Sequence, residues 1–489
     1  MADEGTGTEE PEVNKKGEKE GDTEERKADD KEVERKANQD ADKADFPEAN
    51  FTDRQNRKRL AEDINKEVIP REKKSRVVKN IEAFSPDDDI PMNIPSEIRN
   101  GIRYLAPYWT VYRTRAKGRW FGRKLVDVFT QEFLSLNPHY ASLAVRLGRI
   151  WVNGQQMRDV NYVFQSNDRV EHWGHRHEHP VLETEIRVIA DTDDLLVIDK
   201  PASLPVHACG QYSVHTILGQ LRVERGITGL RVLHRLDRTT SGVLMFAKNY
   251  ETDVEFKKTL KDGEWTKEYL LKVEGVFPEE EITVDEPIGT LVVSMGIQCV
   301  RPDGKRALTR FRRLWTDGEV SVVKAAIETG RTHQIRVHAQ FLGYPIINDD
   351  IYNRAEVWGP QRGKGAEYGK SYDQLCNDVR DAHRASNWYD EKNPEYEDRM
   401  NRMAALEDDK LEMKPDPEDI SRAARPDYDP ICLSCNVTKK EVPFSHFHIF
   451  LHCLKYQTEK WCYSTPVPDW ALEPDDHKHI TERKVLISG

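Results

Sequence analysis

The segment 234–247 constrains the fold of this chain more than any other feature. It reads His-Arg-Leu-Asp-Arg-Thr-Thr-Ser-Gly, followed by the apolar run Val-Leu-Met-Phe-Ala. Asp237 stands between Arg235 and Arg238, and the polar turn after them leads into a run that is typical of a buried strand. Neighbouring cations favour the ionised form of a carboxyl group in a partly desolvated cleft. The pattern fits a catalytic carboxylate at the entrance to a core strand, or an acid that caps a turn and pairs with an arginine.

A second polar segment, 329–338, contains a turn glycine, two arginines, two histidines and a glutamine. The pattern of 332–341 favours a helix, from which Arg336 can reach an acid that is distant in sequence. A metal site formed by His333 and His338 is disfavoured, because a spacing of five residues is poor for two ligands on one helix. The segment is therefore a candidate source of a cation for a carboxylate elsewhere in the chain.

A third candidate is the sequence Lys267-Glu268-Tyr269, which lies in a β-rich run. Residues two apart on a strand share a face, so the lysine and the tyrosine are expected to point the same way. They belong either to a site or to a cross-strand pair on a sheet surface.

The remaining periodicity indicates the fold class. β-rich runs lie at 186–190, 195–198, 243–247, 269–273 and 322–327, and helical patterns lie at 214–222 and 251–260. The elements alternate irregularly and several strands look hairpin-linked, which favours an α+β fold over a doubly wound parallel sheet.

The stretch before these runs has the order helix, helix, hairpin. An apolar stripe from Leu125 to Phe133 has helical spacing, and Asn153-Gly154 is a strong hairpin signal. Residues 121–173 in this order resemble the S4 RNA-binding domain, and a generic small α/β domain is the alternative. The preceding residues 103–123 interleave aromatic residues with arginine and lysine, which predicts either an RNA-contacting surface or a hydrophobic strap lying on the next domain.

Charge is concentrated in two other regions. Residues 1–50 carry 18 Asp and Glu against 9 Lys and Arg, so 9 − 18 = −9 of the net charge of −12 belongs to them. With one aromatic residue, Phe46, this tail cannot bury enough apolar surface to offset its ordering entropy, which predicts disorder. Residues 354–430 are charge-dense and contain six prolines, which predicts a partly disordered or irregular insertion.

The three candidate segments together resemble the RluA-type pseudouridine synthases. The family signature H-R-L-D-x-x-T-S-G, then K-x-Y, then G-R-x-H-Q-I/L-R-V-H occurs here in order and without substitution at its fixed positions. Residues 198–207 resemble the family's entry strand and loop, with Ser203 in place of the usual glycine. Residues 451–453 and 464–468 resemble its C-terminal part. The tail and the stretch 103–123 are similar to the animal RNA pseudouridylate synthase domain-containing proteins.

This resemblance implies a cofactor-independent isomerase that converts uridine to pseudouridine in structured RNA, with tRNA favoured over mRNA or rRNA. It implies that Asp237 is the essential carboxylate, that Arg336 pairs with it, and that Tyr269 stacks on the uracil and takes the C5 proton. Arg235 would occupy the place that the flipped base leaves. The other residues assigned to substrate binding, of which two shape the turn, are His234, Lys267, Thr240, Arg331 and Gln334. A non-catalytic RNA-binding protein with the same fold is the alternative.

The implied fold is α+β, a mixed and mainly antiparallel sheet with a central cleft, preceded by a small S4-like domain and a disordered tail. The expected division is 1–93 for the tail, 94–178 for the strap and S4-like domain, 179–353 for the first part of the catalytic domain, 354–442 for the insertion, 443–475 for the last catalytic strands and 476–489 for a C-terminal tail.

The sequence predicts no cofactor and no metal. Cys432-x-x-Cys435 suggests a zinc site, whose further ligands would come from His446, His448, Cys453 and Cys462. A single such pair is a weak signal, and the last two cysteines lie in segments that match family strands without metal. Seven scattered cysteines and the lack of any apolar run near ~20 residues favour a non-membrane protein of the cytoplasm or nucleus. RNA is the expected partner, and the chain is expected to be a monomer with no obligate protein partner.

Overall fold

The computed structural model describes residues 92–132, 137–385, 389–392, 394–408, 411, 429, 431–439 and 442–473. Residues 1–91 of the tail predicted for 1–93 lie outside this range, and so do residues 474–489. The strands are β1 Ser96–Arg99, β2 Ile102–Leu105, β3 Tyr108–Arg115, β4 Ile150–Val152, β5 Gln155–Gln156, β6 Arg169–Arg176, β7 Val181–Leu182, β8 Arg187–Asp191, β9 Leu195–Lys200, β10 Arg231–Val232, β11 Ser241–Ala247, β12 Thr266–Glu274, β13 Ile282–Asp285, β14 Ile288–Val292, β15 Ile297–Val300, β16 Leu308–Thr316, β17 Val320–Ile327, β18 Tyr389–Lys392, β19 Val437–Lys439, β20 Leu451–Gln457 and β21 Cys462–Ser464. The α-helices are α1 Leu125–Glu132, α2 Tyr140–Arg146, α3 Ile217–Arg225, α4 Tyr250–Asp262, α5 Gln334–Leu342, α6 Ala355–Trp358, α7 Tyr372–Ala385 and α8 Pro394–Ala405. In the part of the chain with described coordinates, none of these helices has the length and apolar character needed to cross a bilayer.

The N-terminal elements form a small unit around their own core. A four-stranded sheet in the order β3-β6-β4-β5 packs against α1 and α2. The predicted helix at Leu125 and the hairpin at Asn153 are both present. Tyr108 and Trp120, two aromatic residues of the 103–123 stretch, are buried, which supports the hydrophobic strap for these two side chains.

The larger sheet has ten strands. Eight of them follow the order β13-β16-β17-β12-β20-β11-β9-β8, while β10 pairs with β11 and β21 with β20. Every pairing in this sheet is antiparallel except that of β11 with β20, which is parallel. The sheet is therefore mixed and mainly antiparallel, and the α+β class predicted from the sequence is confirmed.

A close approach of two strands fixes the start of β11. Gly242 has φ of 112°, and a Cβ atom placed on it would lie 2.1 Å from the carbonyl oxygen of Cys453 on β20. Since the colliding atom is backbone, it cannot move without separating the strands. Only glycine fits at this position of the Thr-Thr-Ser-Gly turn.

We expect Gly242→Ala to lower the free energy of unfolding by at least about 3 kcal/mol, the sum of backbone strain and overpacking. Gly263→Ala is the matched control, because Gly263 also has positive φ but has open space around its Cα. It should cost only about 1 kcal/mol. Urea unfolding measures both values, and equal losses would contradict the steric argument.

The insertion is more regular than the sequence predicted. It contains α6, α7 and α8, and Leu375 and Val379 of α7 pack against Trp358. These apolar residues are four apart on an otherwise charged helix, and Pro394 occupies the first turn of α8, where proline is tolerated. The prediction of irregular structure was therefore wrong for residues 355–358, 372–385 and 394–405.

Candidate active site

A buried lysine, Lys200, holds the turn that carries Asp237 through hydrogen bonds to backbone carbonyl groups. Lys200, at the end of β9, has no exposed surface and donates its Nζ protons to the carbonyl oxygens of Pro201, Arg238 and Thr240 at 2.9, 3.1 and 2.8 Å. The Thr240 N–H donates to the Asp237 carbonyl oxygen at 3.1 Å. These bonds fix the backbone of Asp237 and Arg238 at the edge of a cleft.

Asp237 and Arg336, which are 99 residues apart, form an ion pair. The Arg336 Nη1 donates to Asp237 Oδ2 at 3.1 Å, as the sequence predicted. The Arg336 side chain is 4% exposed, whereas that of Asp237 is 27% exposed and therefore accessible to a ligand. Burial raises the pKa of the Asp237 carboxyl, but two positive charges outweigh this and hold the pKa below its ordinary value: that of His333, which is protonated at the acidic pH where Asp237 titrates, and that of Arg336.

His333 lies at the entrance to α5 beside the same carboxylate. Its backbone has φ of 57°, which turns the chain into the helix, and its Nε2 is 3.7 Å from Asp237 Oδ2. The Tyr352 hydroxyl lies 2.8 Å from the other ring nitrogen, Nδ1. Burial lowers the pKa of His333 to about 4. The imidazole is therefore neutral at pH 7, and Arg336 is the cation that keeps Asp237 ionised.

A second acid, Asp349, also forms an ion pair with Arg336, and the sequence analysis did not predict it. Its carboxylate accepts from Arg336 Nε at 2.7 Å and from Nη2 at 2.8 Å. It also accepts from the backbone N–H groups of Ile351 and Tyr352, and its side chain is 1% exposed. A bidentate bond fixes the plane of a guanidinium, so Asp349 orients the Nη1 that Arg336 presents to Asp237. The only sequence signal was an acid in the polar run Asn348–Asp350, next to an equally plausible Asp350.

Asp237 lies where two cavities meet. The larger has a volume of about 550 Å³ and the smaller about 290 Å³. Asp237, Arg235 and Arg336 line both. The larger cavity is also lined by polar and basic residues, among them His207, Tyr212, Arg238 and His446. Residues of the insertion, among them Arg354 and Val379, line it as well.

The smaller cavity contains the rest of the predicted residues. Tyr269 and Lys267 line it from β12, both nearly buried on one face of the strand, as their spacing predicted. Burial raises the pKa of the Tyr269 hydroxyl far above its ordinary value, so the side chain is a neutral phenol. Arg331, whose Nε donates to the Arg306 carbonyl oxygen, lies at the same cavity.

Three of the residues assigned to substrate binding are held mainly by the protein. The His234 ring stacks on Tyr456 with centroids 4.3 Å apart and accepts the Met245 N–H, and burial lowers its pKa to about 3. The Gln334 side chain makes four hydrogen bonds to the protein, among them one from the Arg331 N–H. Thr240 is buried within the turn. These positions shape the site around Asp237.

The mainly antiparallel sheet carries an arginine-paired aspartate at the edge of a cleft, which is the arrangement that the resemblance to the pseudouridine synthases predicted. The comparisons with known proteins define the family. The family model described as RNA pseudouridylate synthase matches residues 194–341. The chain is 37% identical to the pseudouridylate synthase RPUSD2 of Homo sapiens, covering 76% of this chain and 74% of the human protein. The chain belongs to the RNA pseudouridylate synthase family.

Two further relatives extend the comparison. An uncharacterised protein of Caenorhabditis elegans is 61% identical over 79% of this chain and 89% of its own length. A protein of Saccharomyces cerevisiae named tRNA pseudouridine(32) synthase, mitochondrial, is 34% identical over 76% of this chain and 77% of its own length.

Proposed function

We propose that this pseudouridine synthase isomerises a uridine in tRNA and that Asp237 is its essential carboxylate. The observation that carries the proposal is the position of the Asp237–Arg336 pair at the junction of two cavities, one of which also contains Tyr269. The name of the yeast relative supports tRNA as the substrate class.

In the proposed reaction the smaller cavity receives the uracil and the larger one the ribose and flanking phosphates. The ionised Asp237 acts on the ribose, as a nucleophile at C1′ or as a base toward the 2′ proton; both roles require the unprotonated carboxylate. The C1′–N1 bond breaks, the uracil rotates, and C5 bonds to C1′. In the nucleophilic route the Asp237–C1′ bond breaks as C5 attacks, and in the base route Asp237 returns the proton to the 2′ position. The C5 proton leaves to solvent beside Tyr269, whose neutral phenol can relay a proton only by donating its own at the same time. N1 gains a proton, so no atom or electron is lost overall.

Base flipping accounts for the arginines. Extruding a uridine from a stacked loop costs a few kcal/mol, which contacts to the backbone offset. Arg235 is exposed, lines both cavities and donates to Thr332 Oγ1 at 3.3 Å, which supports a role for its guanidinium next to the bound nucleotide. We assign it to the place vacated by the base, and Arg238 and Arg354 to the phosphates of the neighbouring nucleotides.

We further propose that residues 94–178 bind RNA as an S4-like domain and that 179–353 with 443–475 form the catalytic domain. The support for the first part is the order of α1, α2 and the β4–β5 hairpin, together with four exposed cations, Arg115, Lys117, Arg119 and Lys124. The support for the second is the position of β20 inside the catalytic sheet.

The substrate is tested with tRNA that carries tritium at C5 of uridine, because isomerisation releases this label to water. We expect release from a tRNA with uridine at position 32, the position in the yeast relative's name, and a loss of that release when cytidine replaces this uridine. Messenger RNA and ribosomal RNA fragments, labelled in the same way, are the controls. Release from these RNAs and none from tRNA would contradict the tRNA assignment and leave the isomerase in place.

A further inference from the structure

Two histidines from the N-terminal unit and two cysteines from the end of the insertion meet outside the active site. His175, His177, Cys432 and Cys435 each offer one nitrogen or sulfur atom, and these four atoms lie within 4.8 Å of one another. The Cys435 Sγ is 3.0 Å from His175 Nδ1 and 3.2 Å from His177 Nε2. The two nitrogens are themselves 3.2 Å apart.

The spacing of these atoms fits a tetrahedral metal ion. Three atoms separated by 3.0, 3.2 and 3.2 Å lie about 1.8 Å from their common centre. An ion placed about 1 Å out of their plane is then about 2.1 Å from each, close to zinc–nitrogen and zinc–sulfur bond lengths. Cys432 Sγ supplies the fourth atom. Two thiolates and two imidazoles are a ligand set that binds Zn²⁺ strongly and Mg²⁺ or Ca²⁺ poorly.

Both ligand pairs are presented by local structure. His175 and His177 are two apart in the extended chain at the end of β6, so their side chains share a face. Cys432 and Cys435 flank a turn in which the Cys435 N–H donates to the Cys432 carbonyl oxygen at 3.2 Å. The Asp429 N–H donates to the Cys435 Sγ, 3.4 Å away, and helps to hold this sulfur in position.

The surroundings of the cluster are built and largely shielded from water. His175 and Cys432 are each 8% exposed, and the Trp109 ring packs on His175 with centroids 5.2 Å apart. Arg149 and Asp429 form a bidentate ion pair beside it, at 2.7 and 3.0 Å, with both side chains 1% exposed. Four protein ligands leave no open position for a substrate, which is typical of a structural site and not of a catalytic one.

We propose that His175, His177, Cys432 and Cys435 bind a structural zinc ion that fastens the end of the insertion to the N-terminal unit. The sequence predicted no metal, and the partners it considered for the cysteines were His446, His448, Cys453 and Cys462. The structure brings together a different pair of histidines, more than 250 residues upstream. Helix α8 of the insertion also packs against α2. The ion would therefore strengthen a contact that apolar side chains already form.

Metal content of the full-length protein tests the site. The protein is purified without a metal-affinity column or chelator and analysed by plasma mass spectrometry, and we expect about one zinc per chain. Cys432→Ser and Cys435→Ser should each lose most of it. Cys462→Ser, which changes an exposed cysteine of β21, is the control and should retain it. Zinc far below one per chain in the wild type, or equal retention in all variants, would overturn the proposal.

A second measurement covers variants that fail to fold. Wild-type protein stripped of metal and loaded with Co²⁺ should show thiolate-to-cobalt charge transfer and the visible bands of tetrahedral cobalt. His175→Gln should weaken or shift these bands. Their absence from the wild type would overturn the proposal. So would a disulfide between Cys432 and Cys435 in protein purified under reducing conditions, because a disulfide removes both thiolates.

Discussion

Asp237→Asn should abolish pseudouridine formation, with a fall in single-turnover rate of at least about 10⁴-fold, the scale seen when an enzyme loses its reacting side chain. The substitution preserves the shape of the side chain and removes the negative charge that either proposed role requires. Arg336 keeps both of its bonds to Asp349, so the buried guanidinium is not left without a counter-charge. Tritium release from C5-labelled tRNA at saturating enzyme measures the rate.

Stability and RNA affinity separate this effect from unfolding. We expect the free energy of unfolding of Asp237→Asn to change by no more than about 1 kcal/mol, since the side chain is partly exposed. RNA binding in a filter assay should be nearly unchanged. The control is Asp191→Asn, which removes a charge from an exposed ion pair with Lys248 outside both cavities. Turnover at the wild-type rate in Asp237→Asn would refute the assignment of the carboxylate.

Asp349→Ala should weaken both folding and catalysis. It removes the carboxylate that neutralises a nearly buried guanidinium, and breaking a buried pair in this way costs about 3 kcal/mol. Arg336 would also lose the bidentate contact that orients its Nη1 toward Asp237. Since misplacing a catalytic group by about 1 Å can reduce rates 100-fold, we expect a fall of about that size in the single-turnover rate.

The neighbouring acid provides the comparison for Asp349. The Asp350 side chain is 59% exposed, so Asp350→Ala should leave the free energy of unfolding nearly unchanged. Urea unfolding of both variants gives the stability difference. A rate for Asp349→Ala equal to that of the wild type, measured on the folded fraction, would show that Arg336 is positioned without this acid.

The sequence predicted the parts of the candidate site that lie in continuous motifs. Asp237 and Arg336 were paired in advance, because an acid among arginines and a polar helix start resemble a family pattern, and the geometry agrees. Asp349 was missed because no local pattern separates it from Asp350. Its role follows from the burial of Arg336, which a sequence does not display.

The fold, like the site, was predicted only where a local sequence pattern marks the element. Strands β9, β11, β12 and β17 were expected within a few residues, since apolar and β-branched runs mark buried strands. The helices of the insertion were missed because charge and proline dominate the composition, while one apolar stripe is enough to form a packed helix. Tyr108 and Trp120 show the opposite error. Their alternation with arginine fits an RNA-contacting surface, but both rings are buried in the protein.

The parallel pairing of β11 with β20 has a consequence for synthesis on the ribosome. β11, the strand that follows the Asp237 turn, lies beside β20, which is translated about 200 residues later, and β20 also separates β11 from β12. The nascent chain therefore carries two apolar strands with unpaired edges until the segment around residue 457 has emerged from the exit tunnel. Premature termination anywhere in the insertion yields a polypeptide without β20, in which β11 and β12 cannot join into one sheet, and such a product is a natural target for chaperones and proteases.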